Sequence, residues 1–149
     1  MRNAFYLVLL FLSMSCVPEQ KKQAADLSGT WVRDIPGYEG ELVLTRLSET
    51  GTRYRFSFEA RREAPSGRAT FLGQMNDSSF IVDISGNEGY FEEAEPSPSS
   101  LAGDPCAVHF RLDSDTLHIE TTGCSLVYTG WGVAFDGKYV QVLDSASNE

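Results

Sequence analysis

From Leu27 onward, apolar residues recur at every second position and are interrupted at intervals by clusters of turn formers. Period two is the spacing of a strand with one buried and one wet face. The clearest case is residues 53–61, where Tyr54, Phe56, Phe58 and Ala60 share one face and Arg53, Arg55, Ser57, Glu59 and Arg61 share the other. Leu42 and Leu44, then Ala69, Phe71, Gly73 and Met75, then Phe80, Val82 and Ile84 repeat the theme. Breaks fall at Glu49-Thr50-Gly51, Pro65-Ser66-Gly67 and Asn76-Asp77-Ser78. A run of hairpins is predicted, with Tyr54, Phe56, Phe58, Phe71 and Phe110 filling the interior.

The last third predicts two more hairpins. A turn centred on Ser114-Asp115 places Leu112 opposite Leu117, Phe110 opposite Ile119 and Val108 opposite Thr121. Cys106 then falls opposite Gly123, and a bulge there brings it to Cys124. A second turn at Asp136-Gly137, a dipeptide suited to positive φ, sets Val133 against Val140 and Trp131 against Val142. Upstream, Gly89 to Pro105 carries Pro96, Pro98 and Pro105 among serines and reads as a long irregular loop, the kind that is mobile or functional. About eight or nine antiparallel strands are expected, closed into an all-β up-and-down barrel over residues 27–143 because closure removes exposed edges. Residues 144–149 read as a disordered tail.

The amino-terminal segment has another pattern. Arg2, the apolar run from Ala4 to Leu12 and the small residues Ser13-Met14-Ser15 have the form of a signal peptide over residues 1–15. The run is about half of the roughly 20 residues a spanning helix needs. Cys16 follows directly, and this junction resembles the lipobox of bacterial lipoproteins. The resemblance implies cleavage before Cys16, a diacylglycerol on its thiol and acylation of the new amino terminus. It also implies anchorage in the cell envelope, at the outer membrane if the cell has one. The other reading is a cleaved leader with an incidental cysteine. Residues 16–26 would be the lipidated Cys and a flexible, polar tether reaching at most about 35 Å.

Three cysteines leave an odd one in an exported chain. With Cys16 carrying lipid, Cys106 and Cys124 remain as a disulfide pair flanking the predicted hairpin, worth roughly 3 kcal/mol in the chain-entropy account. Two free buried thiols are the other arrangement, one that oxidising compartments disfavour.

Twelve Lys and Arg against 21 Asp and Glu give a formal charge of −9. A chain so acidic repels nucleic acid and anionic lipid headgroups, so neither DNA nor RNA is an expected partner. The charge is also uneven. Arg46, Arg53, Arg55, Arg61, Arg62 and Arg68 crowd one stretch, while Asp83, Glu88, Glu92, Glu93, Glu95 and Asp104 fill another that has no Lys or Arg. Within the second stretch Tyr90 and Phe91 stand beside Glu92, Glu93 and Glu95. These five residues form a candidate contact for a cationic protein, or else the aromatics belong to a core strand that the glutamates only solvate.

Gly29-Thr30-Trp31 resembles the Gly-x-Trp signature of lipocalins and their calycin relatives, which implies a small barrel with Trp31 plugging one end. Cys106 to Phe110, Leu117-His118-Ile119, Cys124 and Gly130 to Tyr139 resemble a pattern of small secreted or lipid-anchored bacterial envelope proteins. Some of those are described by analogy with periplasmic lysozyme inhibitors.

Catalytic signatures are missing: the sequence has no Gly-x-Ser-x-Gly, His-Glu-x-x-His, Cys-x-x-Cys or Gly-rich phosphate loop. His109 faces Glu120 and His118 faces Arg111 in the predicted register, a poor metal site because a guanidinium intrudes. No metal, cofactor or enzymatic activity is expected. Two functional readings follow for a monomeric, lipid-anchored protein that is otherwise a structural component of the envelope. One is a barrel holding a small apolar ligand. The other is an interaction module whose acidic loop meets a cationic protein such as lysozyme.

Overall fold

The computed structural model describes residues 26–35, 38–64, 66, 70–95, 104–124, 128 and 133–142. The leader, Cys16, all of the tether but Asp26, Arg68, Ala69, Trp131 and the tail lie outside them.

Nine strands follow in chain order: β1 (Gly29–Ile35), β2 (Tyr38–Arg46), β3 (Arg53–Glu63), β4 (Thr70–Met75), β5 (Ile81–Ser85), β6 (Glu88–Glu92), β7 (Ala107–Asp113), β8 (Thr116–Thr122) and β9 (Gly137–Gln141). Eight of them close an antiparallel up-and-down barrel in the order β1-β2-β3-β5-β6-β7-β8-β9, sealed by β9 against β1 through Trp31–Gln141 and Val32–Val140. The extra strand, β4, shares an edge of β3 with β5. Arg53 to Arg55 of β3 pair with β5, and Phe58 to Glu63 pair with β4.

The predicted alternation in β3 holds: Tyr54, Phe56, Phe58 and Ala60 are all buried. The β7–β8 register is also as predicted, with Leu112–Leu117, Phe110–Ile119 and Val108–Thr121 opposed around a turn where Ser114 has φ +57°. Cys106 and Cys124 form the disulfide, their Cα atoms 4.4 Å apart. Gly123 makes this possible by taking φ +70°, which swings the chain off the end of β8.

Aromatic rings fill the barrel. Phe56 lies 5.2 Å from Phe110 and 5.0 Å from Phe91, while Phe58 lies 5.0 Å from Phe135 and 6.0 Å from Tyr139. Such pairs add about 0.5–1.5 kcal/mol each beyond the area they bury. Trp31 faces inward as well, 2% exposed, its indole N–H donating to the Leu27 carbonyl at 3.0 Å.

Three expectations are corrected. First, Gly89 to Pro105 does not begin as a loop, because Glu88–Glu92 is strand β6. Gly89 and Phe91 point inward, and Phe91 packs on the core. Glu88 and Glu92 look like loop composition but stand with Tyr90 on the wet face of a strand. Second, no hairpin turns at Asp136-Gly137. β9 lies between β8 and β1, so Val140 opposes Thr116 and Val32 rather than Val133. The Asp136 carboxylate instead accepts the Thr121 backbone N–H at 2.6 Å and its hydroxyl at 2.8 Å, tying the start of β9 to β8. Third, Phe71 is 37% exposed rather than interior. It keeps inward parity but opposes Arg62 on the outer half of β3, past the aromatic interior.

The barrel has two unlike poles. At the proximal pole Leu27 leads in, and the connections are short: 47–52, Gly86-Asn87 and Ser114-Asp115. At the distal pole the chain leaves β6 for residues 93–106 and leaves β8 for residues 123–136.

Candidate functional site

Strand pairing lays the outward side chains of β6, β7 and β8 in rows. Tyr90, His109 and Glu120 form one; Glu92, Ala107 and Thr122 form the next toward the distal pole. A third, toward the proximal pole, is Glu88, Arg111 and His118, continued by Lys138 on β9. Tyr90 is 59% exposed. Its hydroxyl donates to Glu92 Oε2 at 2.9 Å, and its ring meets His109 edge-on at 6.5 Å. That bond to a carboxylate raises the phenol above its ordinary value, with lesser contributions from desolvation and from the charge of Glu92. Tyr90, Ala107, His109, Glu120 and Thr122 line a depression of about 360 Å³.

Of the five residues expected to meet a partner, the structure brings Tyr90 and Glu92 together on this face. Phe91 points the other way, into the core. Glu93 is held by internal bonds: it accepts the Tyr128 hydroxyl and, at 3.3 Å, the Cys106 backbone N–H, while its own N–H donates to the Cys106 carbonyl at 3.0 Å. Burial first, and then this bond, push the Tyr128 phenol well up. The Tyr128 carbonyl accepts the Gln74 N–H at 2.8 Å, so one residue links the disulfide segment to β4. Glu95 is exposed just beyond β6.

The sequence did not single out Ala107 as part of a site. Its signal was there: a small residue beside His109 and Arg111 on the outward face of a strand leaves a gap between longer side chains. Among the described residues no group of three or more His, Cys, Asp or Glu is arranged to hold a metal ion.

The crowded arginines are dispersed by the fold. Arg46 donates to the Tyr54 hydroxyl at 2.9 Å and lies 3.4 Å from Asp26; Arg61 lies 2.6 Å from Glu59; Arg62 sits 5.0 Å from the centre of the Tyr38 ring. Arg53 stands opposite Asp83. A second outer depression of about 460 Å³, over β1 to β3, is lined by Glu39, Glu41 and Glu59 together with Arg61.

Arg33 was not foreseen as buried. It is 5% exposed at the distal end of the interior, donating to the Ala134 carbonyl at 2.8 Å and to the Asp136 carbonyl. Its guanidinium lies 5.7 Å from the centre of the Tyr139 ring, and its Nε has no partner among the described residues.

Comparison with known proteins gives no match to any family model, curated protein or solved structure. The functional reading therefore rests on the chain's own chemistry.

Proposed function

We propose that this chain is a lipid-anchored protein of the bacterial cell envelope, acylated at Cys16, that acts without catalysis by binding a cationic protein on the outer face of its barrel. The observation that carries the binding reading is a contrast. Phe56, Phe58, Phe110, Phe135 and Tyr139 occupy the interior with 2% exposure or less, while Tyr90 stands 59% exposed between carboxylates outside. A filled interior favours an external partner over an enclosed apolar ligand. The formal charge of −9 favours a basic one. The anchor reading rests on the lipobox-like junction at Cys16 and on the cysteine count. Kinship with the calycins, suggested by Gly29-Thr30-Trp31 at the start of β1, and with envelope proteins akin to lysozyme inhibitors belongs to the same proposal.

Two experiments test it. Cys16→Ala is expected to move the protein from the membrane to the soluble fraction and to abolish metabolic labelling with palmitate. A variant that still fractionates with membranes overturns the anchor. The full chain in detergent is expected to bind lysozyme, used as a cationic probe, at low salt and to release it at high salt. A fatty acid retained through native mass spectrometry, with no lysozyme bound, would return the reading to a lipocalin-like cavity.

A further inference from the structure

We infer that the outer face of β6, β7 and β8 forms a socket for one basic side chain of the partner, a guanidinium or ammonium group seated over Ala107. This inference rests on the partner-binding reading above and specifies where the cation is held.

Side chains on one face of a sheet stand roughly 5 Å apart across neighbouring strands, so a short one among long ones leaves a hole. Ala107 is that residue: Glu92 and Thr122 oppose it on either side, and His109 follows it along β7. Tyr90 and Glu120 close the diagonals, giving the depression of about 360 Å³ with Ala107, 6% exposed, as its floor. The Glu120 carboxylate lines the hole from β8, and Glu92 of β6 stands opposite Ala107 in the register, its carboxylate accepting the Tyr90 hydroxyl. The Tyr90 ring, fixed by its bond to Glu92, adds a π face of the kind that attracts cations. Among the described residues no basic group but the His109 imidazole lines it; Arg111, His118 and Lys138 lie in the next row toward the proximal pole, where Glu88 opposes Arg111. The depression over β1 to β3 differs in both respects, having no aromatic lining among the described residues and holding Arg61 against Glu59 at 2.6 Å. The socket also lies at the distal ends of β7 and β8, away from the pole where Leu27 leads in.

The test is a titration of the isotope-labelled full chain in detergent with a capped Gly-Gly-Arg-Gly-Gly peptide, followed by backbone amide shifts. The same peptide with citrulline, which keeps the shape and removes the charge, is the control. Shifts are expected at Tyr90, Ala107, His109, Glu120 and Thr122 with the arginine peptide only. Glu120→Gln should weaken binding by about tenfold, as loss of a charge partner at a contact centre does. Ala107→Ile, which fills the hole and suits a strand, should abolish it. Glu49→Gln, the same charge change at a remote site, should leave it unaltered. Absent shifts, equal binding of the citrulline peptide, or equal weakening by Glu49→Gln and Glu120→Gln overturns the socket. Should Ala107→Ile fail to fold, Glu120→Gln at its exposed position decides alone. Lysozyme bound by the full chain and indifferent to Glu120→Gln removes the socket and leaves the broader reading. Peptide seated in the socket without lysozyme binding does the reverse.

Discussion

A buried guanidinium carries a desolvation cost that only good partners offset. Arg33 meets it with two carbonyls and two aromatic rings, and two glycines make the room. A Cβ on Gly137 would lie 2.6 Å from Arg33 Cδ, and one on Gly40 would lie 3.1 Å from its Nε and 3.0 Å from the Tyr139 hydroxyl. Tyr139 is the titratable member of this cluster. Its hydroxyl donates to the Phe135 carbonyl at 2.7 Å, and burial pushes it from 10.0 up to about 12, the opposing pull of Arg33 notwithstanding. Because the folded state holds this proton more tightly than the unfolded chain, its contribution is complete below pH 10.0 and is lost as pH rises through about 12. That contribution is about 2–3 kcal/mol. Urea unfolding across this range should therefore show a steep alkaline loss in the parent chain. In Tyr139→Phe the loss should be shallower, from a baseline lower by about 1 kcal/mol for the missing hydrogen bond. Equal slopes would remove Tyr139 as the source.

Among the elements, β6 gives the sharpest mutational contrast, since adjacent aromatics face opposite ways. Phe91→Ala should cost about 2–4 kcal/mol by opening a hole beside Phe56 and Phe80. Tyr90→Ala on the wet face should stay within about 0.5 kcal/mol. Chemical denaturation of the two variants measures both; comparable losses would mean that Tyr90 is part of the core. The same strand shows what could be read from the sequence. In β3, and in the β7–β8 hairpin, an unbroken alternation and a tight turn determine register locally, and both are as expected. β6 has only Gly89 and Phe91 as inward residues, too few to mark a period against three glutamates and the prolines that follow. β9 failed for another reason: Asp136-Gly137 has the chemistry of a turn, but its carboxylate is taken by Thr121, a long-range contact with no local trace. Of the candidate site, Tyr90, Glu92 and the His109–Glu120 pairing were legible. The gap over Ala107 showed only as a small residue beside His109 and Arg111 on β7; its walls come from β6 and β8, which local sequence does not place.

At the scale of the whole molecule, the Cys106–Cys124 bond closes the end of the β7–β8 hairpin with a sequence separation of 18. Reduction is expected to lower stability by about 3 kcal/mol, in line with loop closure of that length. Thermal unfolding with and without reductant measures it, and non-reducing peptide mapping confirms the pairing; both cysteines recovered as free thiols would exclude it. The barrel's seal has a consequence of a different kind, in time rather than in space. Val32 pairs with Val140, so the first strand finds one of its two neighbours only when the last has been delivered. A chain emerging amino terminus first from synthesis would hold its early hairpins as an open ribbon with two bare edges. Loop closure over so long a separation is slow, and bare edges invite pairing with other chains. A truncation just before β9 should leave that ribbon permanently unsealed and prone to aggregate, although most of its strands are present.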